Sequence, residues 1–422
     1  MTDAGPWRVR PLRFALMTVV TGLVAGVCGA ALALLLHAVQ HLAYGYATGP
    51  FLTGVQGAPP ARRVLVTALA GVVAGAGWWA LYRFREPLVD VAAAVRAGGP
   101  RLPLLTTCWH ALLQIVTVGL GSPLGRETAP RELAAVFAAE SGRRAGLTPA
   151  QGRILIACAA GGGLAAVYDV PLGGALFTLE VLIGSWAAGV VVPAAAVAAL
   201  ATVVSWLVLP DEPVYVLPEL TVGPSLVVWS VLAGPLLGGC GYAFARLCAR
   251  ARRAAPRGRL LMLTAPLAFT AIGLLAIPYP ALLGNGKSPA EIAFRTQPAL
   301  GLTAVLLALR TLAVLLALRS GGRGGLLTPS VAGGALLGAL LGGGWLLLWP
   351  GSTPGGYAVV GAAAFLAVAQ QIPLTAAVLV LEFTGAPRDL VVPVLIAVAG
   401  AMAAGRLCAR LPLRRDGGWV GA

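Results

Sequence analysis

Lysine is all but missing from this chain: Lys287 is the only one, and every other one of its 30 basic residues is arginine. Acidic residues number only 15, and all charged residues together make up 11% of 422 positions, against 58% hydrophobic. Mean hydropathy is +0.87. So low a charge over so long a chain excludes an ordinary soluble domain, in which about a quarter of the residues are charged. Cysteine is sparse: six are scattered with no CxxC pair, which excludes a disulfide framework or a zinc ribbon. Histidine is rarer still, at three. His37 and His41 share a helix face, but no carboxylate or cysteine stands near them in sequence, so helix-end packing is expected and no metal. No cofactor is implied.

What is present is apolar sequence in runs of about 20 residues from end to end, the length that crosses a bilayer as a helix. The fold class read from this is an all-α, polytopic membrane protein, sited in the cell membrane. The first run, Phe14 to Leu36, is too long for a signal-peptide core and has no convincing cleavage site, so it is read as a membrane helix. The expected organisation is a cytoplasmic segment over 1–13, one transmembrane domain over 14–405, and a short basic cytoplasmic tail over 406–422. The net charge of +15 could suggest nucleic acid, but the arginines stand in short loops, where they set topology and attract anions. Ala245 to Arg259, the most basic segment, is expected inside, and the loop with Asp211, Glu212 and Glu219 outside.

One stretch departs from the apolar background. Gly119 to Leu133, GLGSPLGRETAPREL, places Glu127 in a Gly/Pro-broken segment after an apolar run, with Arg126 and Arg131 beside it. A charge at membrane depth costs roughly 2.5–3.5 kcal/mol on insertion scales and is tolerated where broken backbone lines a cavity. A helix starting just past the motif offers free N–H groups and a positive dipole end. Two readings fit this stretch: a buried anion site with a carboxylate competing for it, or a re-entrant turn whose Glu and Arg pair for structure.

The sequence also echoes itself. Pro171 to Glu180 and Pro373 to Glu382 both read P-L-x-x-A-x-x-x-L-E. About forty residues before each comes a Gly-rich break with a following Pro, at Gly125 to Pro130 and Gly321 to Pro329. Two elements in the same order point to two inverted halves, about 14–209 and 226–405, with the transport site at matching helix breaks. On that reading Gly324 to Leu327 is the partner of Gly125 to Thr128, and two helix N-termini face one anion. Ile154 to Gly184 is expected to break at Gly161 to Gly163 and again at Asp169 to Pro171. Gly284 to Ser288, GNGKS, imitates a phosphate loop, but Ala281 stands where its first Gly belongs and no strand precedes it, so nucleotide binding is not expected.

Taken together, these residues resemble the chloride channel (CLC) family of anion channels and proton-coupled anion antiporters. GRETAP is similar to its GREGP, GLAAVYDVPLGGALFTLE to its GLAAAFNAPLAGxLFxxE, RSGGRGGLLTPSVAGGALLG to its SGxPGGxFxPxLxxGAxxG, and QQIPLTAAVLVLEFTG to its xRxPLTxxxLxxExT. The resemblance implies a homodimer with one anion pathway per subunit, two inverted halves of broken, tilted helices, and Glu127 as the gating carboxylate. It also implies an anion, chloride or similar, held among Gly125, Arg126, Thr128, Gly324, Gly325, Leu326 and Leu327. The chain departs from the family in four places. Arg85 to Val89, with Glu86, replaces the first anion motif and its serine. The Pro of GRETAP comes one residue late. Val181 stands where antiporters often carry an inner glutamate. Arg414 aligns with an anion-coordinating tyrosine.

Four carboxylates are read at membrane depth: Glu127, Asp169, Glu180 and Glu382. Glu180 and Glu382, matched in the repeat, are expected to pin helices. Asp169 is expected to cap a helix break and stay ionised there. Asp169 and Glu180 are nevertheless the candidate proton relays. With Val181 unable to titrate, the expected function is passive or loosely proton-coupled transport of chloride. The alternatives are a strictly coupled proton/anion antiporter for chloride or fluoride and, remotely, an intramembrane enzyme. For the last, Cys108 and His110 fall on different helix faces at i, i+2, and no partner for the imidazole is evident in sequence.

Overall fold

The structure is a computed structural model; it describes residues 11–97, 101–296 and 298–410. Arg8, Arg10, Arg414 and the tail beyond Arg410 lie outside the described residues, as do the expectations attached to them. The described chain is helical throughout: α1 (Pro11–Tyr44), α2 (Phe51–Gly57), α3 (Pro60–Phe84), α4 (Val91–Arg96), α5 (Leu104–Gly119), α6 (Thr128–Arg144), α7 (Pro149–Tyr168), α8 (Pro171–Phe177) and α9 (Ala188–Trp206). Then follow α10 (Pro224–Arg253), α11 (Leu261–Leu275), α12 (Lys287–Arg295), α13 (Leu300–Arg319), α14 (Leu327–Leu346), α15 (Pro354–Gln370), α16 (Pro373–Thr384) and α17 (Val391–Arg410). Nine helices among the described residues are long and apolar enough to cross a membrane; α5, α8, α15 and α16 are shorter apolar pieces. The chain is an all-α, multi-pass integral membrane protein.

The internal repeat is visible in the backbone itself. Asp169 and Gln371 are the two non-glycine residues with positive φ among those described, at 55° and 59°. Each ends a helix in the left-handed conformation, and each N–H returns to a carbonyl four residues back, Ala165 and Ala367. Val170 and Ile372 follow with φ of −133° and −132°. Pro171 and Pro373 then open the next helix, where a missing N–H costs nothing. Gly184 and Gly385 close the two copies, again with positive φ. The copies differ in one respect: α16 stays α-helical, whereas α8 passes into a π-turn over Thr178–Ile183. Thr178 Oγ1 donates to the carbonyls of Gly174 and Ala157, at 3.1 and 3.3 Å, competing for acceptors that an α-turn would use.

The expected break at Gly161 to Gly163 does not occur. Helix α7 runs unbroken through it, started by a reciprocal cap in which Thr148 and Gln151 bond each other's backbone N–H, and it breaks only at Asp169. These glycines admit neighbours instead: a Cβ on Gly163 would lie 2.5 Å from the Pro130 carbonyl oxygen, and one on Gly161 would collide with Thr178 and Gly174.

The chain divides into two compact units. One comprises Met1–Leu34, Arg85–Ala111 and Thr128–Glu212; the other comprises Leu35–Phe84, Leu112–Glu127 and Pro213–Ala422. In the first, α6, α7 and α9 pack on α1 through small residues, with Ala25, Cys28, Ala134, Ala159 and Ala201 at the centre. In the second, the same device recurs at four-residue spacing. Gly71 and Gly75 admit the backbone of α11, Gly234 and Gly238 that of α17, and Gly334 and Gly338 that of α15. In lipid, where tails are as apolar as leucine, close backbone approach supplies the helix–helix attraction. Gly338→Val places methyl groups where the Cβ alone would be 2.9 Å from Gly361 Cα. It should cost about 1–3 kcal/mol of overpacking strain, read as a lower Tm in detergent, while Gly344→Val, with open space around it, should leave the Tm in place.

Candidate functional site

The segment between α5 and α6 leaves the helical hydrogen-bond pattern after Gly121 while still buried, so its peptide groups need partners from elsewhere. Several are supplied from within the second unit, to which Leu120 to Glu127 also belong. The Leu120 carbonyl accepts from Tyr44 Oη at 3.1 Å. The Gly121 carbonyl accepts from the Gly284 N–H at 3.1 Å, and the Ser122 N–H donates to Thr117 at 3.0 Å. The Pro123 carbonyl accepts from Arg310 Nη2 at 2.7 Å. Gly125 and Gly325 then exchange both hydrogen bonds, at 2.8 and 2.9 Å, as an isolated antiparallel bridge. A positive φ of 105° at Gly121 makes the turn.

Arg310 is the pin of this arrangement. It projects from the middle of α13 and is 1% exposed. Its guanidinium takes three carbonyls: Pro123, and through Nη1 Leu282 at 2.9 Å and Gly284 at 2.8 Å. A planar fork with five donors suits this use, and a lysine could not span the three. The GNGKS loop, which only imitates a phosphate loop, serves the structure here by offering the Gly284 carbonyl to Arg310 and the Gly284 N–H to Gly121.

Glu127 lies two residues past the bridge and is fully buried. Its Oε1 accepts the Leu327 N–H at 2.7 Å, and its Oε2 accepts from Thr328 Oγ1 at 2.9 Å. Leu327 is the first residue of α14, so the carboxylate rests on a helix N-terminus, where orphan N–H groups and the dipole favour an anion. A Cβ on Gly325 would collide with this carboxylate, as would one on Gly125; glycine at both positions lets the side chain rest where it does.

Of the residues singled out in sequence, Gly125, Gly324, Gly325, Leu326, Leu327 and Glu127 are gathered here. Arg126 is half-buried beside them, and both it and Lys287 lie within electrostatic range of His37. Arg323 lies over the Tyr82 ring, 5.7 Å from its centroid, and Arg252 Nη2 reaches the Gly324 carbonyl at 3.4 Å. Thr128 opens α6. Glu86 is exposed before α4, whose cap is Asp90, accepting from Ala93 N–H at 2.9 Å. Glu180, in the π-turn, and Glu382, in α16, are both half-buried.

Two expectations are corrected. Asp169 caps the break by ending α7, just beyond the apolar span, with its Oδ1 accepting from Trp206 Nε1 at 2.8 Å, but the break does not favour its charge. Burial, then the nearby Asp211, push its carboxyl above the usual range, outweighing the Trp206 hydrogen bond. His110 does have an orienting partner. Its Nδ1 lies 2.8 Å from Oε2 of Glu132 on α6, and both side chains are buried. Glu132 is thus a buried carboxylate beyond the four picked out in sequence. Sequence reasoning misses Arg310 too, although an arginine inside an apolar run is itself a signal.

The sequence matches the profile of the family described as voltage gated chloride channel over residues 70–406. The chain belongs to this family. It is 30% identical over 368 residues to the voltage-gated ClC-type chloride channel ClcB of Salmonella typhimurium, covering 83% of this chain and 86% of that protein. With the ClcB of Escherichia coli strain SMS-3-5 it shares 29% over 356 residues, 80% of this chain and 82% of the other. The CLC fold itself is shared with a slow cyanobacterial Cl−/H+ antiporter, at a TM-score of 0.82 and 22% identity over 95% of this chain and 96% of the other. A CLC-type fluoride/proton antiporter matches at a TM-score of 0.66 and 21% identity, over 93% and 95%.

Within this CLC architecture, Arg310 gives a direct test. Arg310→Met leaves three buried carbonyls without their donor, at roughly 1–3 kcal/mol each. It should lower the Tm far more than Arg319→Met, at the end of the same helix. Arg310→Lys should fall between, because one ammonium cannot reach all three acceptors.

Proposed function

We propose that this protein carries small inorganic anions, chloride foremost, across the membrane along a path that the Glu127 carboxylate closes. The observation that carries the reading is the seat of that carboxylate. An anion needs backbone N–H groups, a hydroxyl and a helix dipole, and Glu127 takes the Leu327 N–H, the Thr328 hydroxyl and the α14 N-terminus. The carboxylate oxygens stand in for a transported halide. When the side chain swings away, those donors become available to chloride, with the glycines at 125, 324 and 325 keeping the backbone close. Arg126 and Lys287, with Arg252 and Arg323, supply positive charge near the path and raise the local anion concentration. We further propose a homodimer with one path per subunit, built from a membrane domain over 14–405 with halves at about 14–209 and 226–405.

Transport is passive or loosely proton-coupled on this reading, because Val181 cannot carry a proton where many antiporters of the family use a glutamate. Strict proton/anion exchange is the second reading, and the fold neighbours named as antiporters favour it. An imposed chloride gradient across sealed liposomes separates the two: uphill proton movement in fixed ratio to chloride overturns the passive reading.

The gate is tested in the same vesicles. Glu127→Gln and Glu127→Ala should remove most of the pH dependence of anion flux while the protein remains folded; an Ala variant with the parent's pH dependence refutes the assignment. Gly325→Ala provides an independent test. Its methyl group takes the space of the carboxylate, so flux should change in the single variant and return toward the Glu127→Ala level in the double variant Glu127→Ala/Gly325→Ala.

A further inference from the structure

The His110–Glu132 pair belongs to no part of the anion site described above. Its two members come from α5 and α6 within the first unit, 22 residues apart in sequence, and meet at 2.8 Å in a buried setting. An ionised carboxylate can only accept, so His110 Nδ1 carries a hydrogen on this contact while Glu132 is charged. That leaves Nε2 as the atom that gains or loses a proton. With both ring nitrogens protonated, the imidazolium and the carboxylate together carry no net charge; with Nε2 bare, a neutral imidazole faces a carboxylate and the two are anionic.

A purely structural role explains the pair poorly. α6 and α7 already pack through small residues, Gly163 against the Pro130 carbonyl and the alanine cluster around Ala134 and Ala159. Buried ion pairs are often no more stabilising than well-packed apolar residues. Ionisable groups inside a membrane protein are costly and mark ion or proton sites. The helices packed on α6 are α1, α4 and α7, and together with α5 and α6 they carry within this unit Arg13, Cys28, Arg96, Cys108, Arg131, Glu140, Arg143, Arg144, Arg153, Cys158 and Tyr168. Arg131 is turned onto the Phe177 ring at 4.1 Å, and Glu140 further along α6 is bound by Arg143 and Arg144.

We propose that His110 and Glu132 form a proton-binding site of the transport cycle, separate from Glu127, whose charge state sets a second component of the pH dependence. The ligand is a proton, taken at His110 Nε2 as the pH falls and released as it rises; no other bond changes. Resting on the transport reading above, the proposal adds a proton site to a chain that has Val181 where a titrating glutamate is otherwise found.

Two measurements test it. The chain has three histidines, so the variant His37→Gln/His41→Gln carries His110 alone. With 15N-labelled histidine, the His110 ring nitrogens should report a change of protonation state in detergent or nanodiscs within the pH range over which the protein stays folded. Signals fixed across that window overturn the proposal whatever the flux does. In liposomes, His110→Gln and Glu132→Gln should each remove the same component of the pH profile of anion flux, beyond what Glu127→Gln removes, whereas Glu140→Gln should leave the parent profile. Titrating signals with parental flux profiles in both variants overturn the transport role. Vesicles of the parent that pass no anion would instead sink the transport reading, while the histidine titration stands or falls by itself. Should either variant fail to fold, the histidine signals of the His37→Gln/His41→Gln protein still decide whether the site takes a proton.

Discussion

Everything at the candidate site depends on two buried peptide groups, Gly125 and Gly325, that satisfy each other. Broken helices are useful to a membrane protein because they expose backbone donors, and dangerous for the same reason: every donor or acceptor without a partner costs several kcal/mol in an apolar medium. The bridge resolves this at the point where the two broken segments meet. It fixes the register between the segment that ends in Glu127 and the one that begins α14, so that the Glu127 carboxylate and the Leu327 N–H arrive 2.7 Å apart from positions two hundred residues distant in sequence. Glycine at both positions follows from that proximity, since a side chain at either would occupy the carboxylate's space.

The bridge could not hold alone. One residue pair is a marginal sheet, and it persists because the backbone leading into it is tied down by donors of very different kinds: a tyrosine hydroxyl, a glycine N–H and the Arg310 guanidinium. Arg310 is a permanent cation stabilised by three carbonyl dipoles. Fixed positive charge thus ties down the backbone leading into the candidate site, while the donors that meet Glu127 are the neutral Leu327 amide and Thr328 hydroxyl. Such a division suits transport. Full positive charge in direct contact would bind a halide too tightly to release it, whereas amide dipoles hold it weakly enough to exchange.

Much of this was legible in sequence because it is written in short-range chemistry. The Gly/Pro breaks, the Glu127 motif and the P-L-x-x-A-x-x-x-L-E echo are local patterns, and the structure answers each, the echo down to matched left-handed residues at Asp169 and Gln371. The misreadings concern the same residue types in another context. Glycine triplets read as a break, yet Gly161 to Gly163 lie inside a continuous helix, because an unoccupied Cβ serves close packing as readily as it serves a turn. Asp169 read as a cap whose charge the break would hold; it does cap the break, but as a helix end, where the dipole repels the charge that a start would welcome. Arg310 and the His110–Glu132 pair needed partners far away in sequence, which no periodicity reveals.

The two carboxylates of α6 and its approach show how environment divides one residue type between roles. Glu127 meets an amide and a hydroxyl, groups that cannot change charge; anything that displaces it must bring its own negative charge or give the carboxylate a proton. Glu132 meets an imidazole, a group that can. The first is suited to competition with an anion, the second to the storage of a proton, and five residues of sequence separate them. On the proposals made for these two sites, a chain with both needs no inner glutamate at Val181 to make its anion flux answer to pH, because a carboxylate with a histidine beside it takes the place of a carboxylate alone.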